Sequence, residues 1–107
     1  MRLWFLPILV MMTTPTFAQH AILYRDWKNC VSIMVDEQIH RGSMVPMVML
    51  LNDAMLTCQP EGDLFAEDLQ ARNRGMSVRD RIDYINETRQ KIRAEVTAEF
   101  DARDNGK

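Results

Sequence analysis

Glycine and proline are scarce in this chain, four of each in 107 residues. No stretch alternates apolar and polar residues over strand length, so nothing in it reads as a sheet former. Histidine is limited to His20 and His40, and cysteine to Cys30 and Cys58. A structural zinc centre wants four clustered ligands and a dithiol redox site wants Cys-x-x-Cys, and neither pattern is present. No serine sits in a Gly-x-Ser-x-Gly setting and no histidine has a cysteine free to activate, so the chain reads as a non-enzyme without a cofactor. Positive charge is short as well: 13 Lys and Arg face 15 Asp and Glu, a net charge of −2. That balance argues against a nucleic-acid partner, because phosphates reward a strongly basic surface.

What is present begins with Arg2 ahead of an apolar run, Leu3 to Met12, broken only by Pro7. Thr13 and Thr14 then lead into Pro15-Thr16-Phe17-Ala18, with small residues at the −3 and −1 positions of a signal-peptidase site. A charged, then apolar, then small-residue order is that of a secretory signal, and the run is shorter than the ~20 residues of a spanning helix. Residues 1–18 are therefore read as a signal peptide and 19–107 as one mature domain, periplasmic or secreted. No cysteine stands at the cut to carry a lipid, and no later apolar stretch is long enough to span a bilayer. The remainder, 107 less 18, is 89 residues, near the lower size at which one core is self-sufficient.

The organising stretch runs from Cys30 to Cys58. Two apolar helical runs flank the Gly42-Ser43 break, with one cysteine on each. In an antiparallel helical hairpin, residues equidistant from the turn lie side by side, and the midpoint of 30 and 58 is residue 44. The two thiols should therefore meet, and in an exported chain they should be oxidised. Closing that loop stabilises the fold by about 3 to 4 kcal/mol in the chain-entropy picture. The fold class follows: all-α, a small disulfide-tied hairpin with a short and a long C-terminal helix.

The first helix is expected over about 20–41, with Leu23, Trp27, Cys30, Met34 and Ile33 or Val35 on its apolar face. Gly42 suits its left-handed end, and His40 and Arg41 suit the negative end of its dipole. Ser43 is expected to cap the second helix, with Pro46 in its first turn. Met44 to Leu51 is apolar throughout, which places that helix in the centre, buried on more than one side. Gln59-Pro60-Glu61-Gly62 reads as a turn, and Asp63 as the cap of a short third helix ending near Arg72. Ser77 caps a long fourth helix on which Val78, Ile82, Ile85, Arg89, Ile92, Val96 and Phe100 form a near-heptad seam. That helix is about 33 Å long, so its seam either overhangs the core or is covered by the third helix. Residues 101–107 lose the rhythm and are expected to fray into a mobile tail.

Metal candidates are weak: Met44 and Met47, with His40 upstream, resemble a thioether site for Cu(I), although methionine is commonly a core filler. Charge falls in blocks. Asp53 to Asp68 holds five acidic residues and no basic one, and Arg72 to Arg93 holds seven basic and three acidic. Attraction between the blocks is expected as the fourth helix packs near the second and third. Arg72, Arg74, Arg79 and Arg81 on the basic strip, with Ile92, Val96 and Phe100 on the seam, form the expected interaction surface. It would serve a protein partner or a homodimer through the C-terminal helix, and the methionine-rich second helix is expected to add a contact face, as a Met-lined groove for a peptide. A leader followed by disulfide-tied helices resembles, in plan only, small periplasmic acid-stress chaperones and some secretion-system immunity proteins. The functional expectation is an exported interaction protein, chaperone-like or adaptor-like. The alternatives are an inhibitor or immunity protein of a secreted enzyme, and a Met-rich copper carrier.

Overall fold

Trp27, Val31 and Val35 project from one helix, are all but closed to solvent, and have the other helices arranged around them. The computed structural model describes residues 16–105, which hold α1 (Thr16–His40), α2 (Met47–Thr57), α3 (Gln59–Arg72) and α4 (Val78–Asn105). The chain is all-α, as its periodicity predicts, and Cys30 and Cys58 are joined, with Cα atoms 5.9 Å apart. No helix among the described residues is long and apolar enough to cross a membrane. Most of the expected leader lies outside the described residues, and α1 already runs through the expected cut after Ala18.

The stop of α1 is written in Gly42, whose φ of 78° is open to glycine and strained for other residues. Gly42 N–H donates to Ile39 O and Ser43 N–H to Gln38 O, the paired bonds of a Schellman end. The second helix starts later than Ser43 predicts. Pro46 disfavours the helical region at Val45. Ser43 Oγ therefore accepts from Val45 N–H instead of opening a helix, and Met44 is left 95 % exposed.

The expected turn after α2 does not form. α3 starts directly at Gln59, with Pro60 in its first turn, and Cys58 is the joint between two rods. Cys58 N–H still donates to Ala54 O, and Gly62 N–H to Cys58 O. Proline, having no N–H to offer the carbonyl of Leu56, bends a helical path without ending it. α2 and α3 together thus form one bent rod antiparallel to α1. The register shows it: Cys30 meets Cys58, Trp27 meets Gly62 and His20 meets Asp68, all centred on or beside residue 44.

The second helix is not the central one. α1 takes that place, packing against α2, α3 and α4 alike. Of the two residues offered for the apolar face, Val35 is buried and Ile33 is 63 % exposed, and Val31 joins the core beside Val35. α4 runs parallel to α1, tied by Tyr24 to Glu95, Lys28 Nζ to Glu99 Oε1 at 2.8 Å, and Arg103 Nη1 to Asp36 Oδ1 at 3.0 Å. These ties carry much of the charge matching, which was expected instead between the acidic 53–68 block and the basic strip. α4 also continues to Asn105, past the point where its apolar rhythm ends. Arg103, stacked on the Phe100 ring and paired with Asp36, holds that last stretch.

Candidate functional site

The expected interaction surface divides into parts that the fold separates. Ile92, Val96 and Phe100 are core, at 0 %, 0 % and 5 % exposure, so they are not a contact surface. The seam was read correctly as apolar, but its C-terminal half packs on α1. Its N-terminal half does overhang, with Val78 and Ile82 exposed. Arg72 is half-buried, its Nε 2.7 Å from Asp68 Oδ2 but off the hydrogen-bond axis, so that Nε and Nη2 find no hydrogen-bond acceptor. Arg74 and Arg81 border a shallow hollow with Glu67, Gln70 and Ala71, while Arg79 stands in solvent.

The weak metal candidates do not converge either. His40 Nδ1–H donates to Asp36 O at 2.9 Å, and His40 shares a cavity with Met47 but not with Met44. Both cysteines are consumed in the disulfide. His20 lies between Asp68 (Nδ1 to Oδ2, 3.1 Å) and Tyr84 (Nε2 to the hydroxyl, 3.5 Å), with Phe65 against its ring. That cluster ties the start of α1 to α3 and α4.

The geometry that stands out is between α2 and α4. These two helices approach each other least of any pair, and the gap is an open trough backed by α1. One end, about 450 Å³, is floored by Trp27 and Gly62; Met55 and Leu56 with Asn52 and Gln59 form one wall, and Arg89 and Arg93 with Asn86 the other. The other end, about 690 Å³, lies between Met47, Val48 and Leu51 on α2 and Ala94, Thr97 and Ala98 on α4. Gln90 and Arg93 border both ends, so the two hollows adjoin along α4. Val48 and Leu56 stand 56 % and 70 % exposed beside it. Trp27 Nε1 is buried there with no hydrogen-bond partner.

Comparison with family models, curated proteins and solved structures finds no match to this chain.

The second and fourth helices are both expected to offer contact faces, but the open trough between them is not predicted, although a signal for it is present. A run apolar at every position from Met44 to Leu51 carries more apolar surface than one neighbour can cover. Here the excess opens onto the trough rather than onto a second helix. Arg89, the charged interruption of the seam, marks the opposite rim.

The α1–α4 seam is polar by contrast. Burial, followed by its bond to Glu95, holds the Tyr24 phenol well above its ordinary value. The bond to Glu99 raises Lys28, and the bond from Lys28 lowers Glu99. These are ties that fix α4 along α1, and with it the width of the trough.

Proposed function

We propose that this chain is an exported, non-catalytic interaction protein, chaperone-like or adaptor-like, that seats a helical segment of a protein partner in the α2–α4 trough. The trough carries this reading: an apolar floor, two arginines on one rim, and the length of α2, about 16 Å at 1.5 Å per residue. A guest helix of about three turns, with apolar residues inward and a carboxylate toward Arg89 and Arg93, would complete a bundle around α1. The bonded Cys30–Cys58 pair supports an oxidising compartment, where such bridges persist.

The test is site-specific photo-crosslinking in the producing cell, with the reactive group at position 48 or 56 and at exposed position 33 as control. Adducts at 48 and 56, absent at 33 and lost in Arg93→Glu, support a guest seated in the trough. Equal labelling at all three positions removes it. A single stoichiometric adduct favours an inhibitor or immunity protein, whereas several client masses favour a chaperone. The exposed Val78 and Ile82 favour a second reading, pairing of α4 with a second copy. Sedimentation across a concentration series decides it, since a strict monomer leaves that overhang unpaired.

A further inference from the structure

One cluster of metal-ligating atoms lies away from the trough's chemistry. Cys30 Sγ, Cys58 Sγ and a carboxylate oxygen of Glu61 all fall within 4.8 Å of one another. Glu61 sits in the first turn of α3, where its charge suits the helix dipole, but that role is served equally well by a carboxylate facing water. Instead Glu61 Oε2 is buried with no hydrogen-bond partner, on a carboxylate that brings an oxygen within 4.8 Å of both sulfurs. An unpartnered buried carboxylate oxygen is costly and calls for a ligand that the oxidised form does not supply.

We propose that reduction of the Cys30–Cys58 bridge opens a site for a zinc-class divalent cation, held by both sulfurs and by Glu61. The backbone is already close to what that needs. Two thiolates on one tetrahedral zinc ion lie roughly 3.8 Å apart. Rotation of the freed side chains can supply this at the present Cα separation of 5.9 Å. Cys58 both ends α2 and precedes α3 and is closed to solvent, so its thiolate is made by the incoming cation displacing the proton rather than by the fold. Cys30 is half-buried rather than sealed, which gives the ion a way in.

A dithiol reductant closes its own S–S bond and delivers two electrons and two protons to the bridge, leaving two cysteine thiols. The incoming divalent cation displaces those two protons. Two thiolates and one carboxylate then hold it, with a fourth position open to water. The thiolates disfavour magnesium and calcium, and the carboxylate distinguishes the set from a Cu(I) site, which two sulfurs would satisfy. The oxidised bridge and the metal site are mutually exclusive. The cation therefore binds one redox state only, at the joint between α2 and α3.

The experiment uses Co²⁺ as the probe on the full chain, oxidised and reduced. The reduced protein should develop thiolate-to-cobalt charge transfer and tetrahedral visible bands that saturate at one equivalent. The oxidised protein, which retains both histidines, should show neither. Glu61→Gln should weaken binding by about tenfold or more, a scale at which even outer-sphere partners are felt. Because reduction can loosen the fold, helicity is followed in parallel by far-UV circular dichroism while Zn²⁺ is added. Zn²⁺ should raise the melting temperature or restore helix in the reduced wild type, and do so much less in Glu61→Gln. An equal response from both proteins, or no cobalt band in the reduced wild type, overturns the proposal.

Discussion

Gly62 lies so close to the Trp27 indole that a Cβ built on it would fall 2.8 Å from Cζ2. The glycine is in α3, not in a turn, and it is there because the bent rod must pass against a buried tryptophan. In an open helix, Gly→Ala gains up to about 1 kcal/mol from propensity. Here the ring is at 2 % exposure with Phe65 against it, so making room for a methyl group displaces a packed side chain. Gly62→Ala should instead lose about 1 to 3 kcal/mol by overpacking. Urea denaturation checks the sign, and an increase in stability means that Trp27 is free to move.

The bridge should be the strongest single constraint on the fold. It spans 28 residues of sequence and holds α1 to the joint between α2 and α3. Cys30→Ser with Cys58→Ser should therefore cost about 3 to 4 kcal/mol, most of it through a freer unfolded chain. Denaturation of wild type with and without reductant should give the same difference. A cost below about 1 kcal/mol would show that packing around Trp27 and Phe65 fixes the hairpin without the bridge.

The hairpin register was legible because Gly42 marks the turn and two cysteines lie equidistant from it. The path beyond Cys58 was not. Gln59-Pro60-Glu61-Gly62 has turn composition, and only the tertiary demand of Trp27 for a small neighbour explains a glycine inside a helix. The site was less legible still. An all-apolar run says that α2 has surplus apolar surface, but not whether a helix or an open trough meets it. Likewise the α4 seam has one period from Val78 to Phe100, and nothing local separates its buried half from its exposed half. That division depends on where the Lys28–Glu99 and Asp36–Arg103 ties set α4 along α1.

Two isoleucines on the same helix should separate core from overhang. Ile92 is fully buried and Ile82 is 50 % exposed. Ile92→Ala should cost about 2 to 5 kcal/mol, because the lost contacts leave a cavity between α1 and α4. Ile82→Ala should fall within about 0.5 kcal/mol of wild type. If α4 pairs with a second copy, Ile82→Ala will become costly at high protein concentration only, so the pair of variants is measured at two concentrations.

The ties along α1 and α4 also set a pH signature. Glu99 is held below the ordinary carboxylate value, first by its bond from Lys28, with Ser32 and Arg103 adding to it. A lowered folded value means that Glu99 stabilises the fold above the unfolded carboxylate value, and that this contribution fades as pH falls through the folded one. Wild type should therefore exceed Glu99→Gln in stability at neutral pH and converge with it as the pH falls through the lowered folded value, on the acid side of the ordinary carboxylate range. The Glu99 side chain is 40 % exposed, so the difference should stay under about 1 kcal/mol. Lys28 is shifted the other way, so its contribution is complete below the ordinary lysine value and lost as pH rises through the raised one. Thermal melts of wild type and Glu99→Gln from acid to neutral pH read the first effect. A deficit in Glu99→Gln that is the same at both ends would show that the side chain acts by packing rather than by charge, and the electrostatic account of how α4 is positioned would fail.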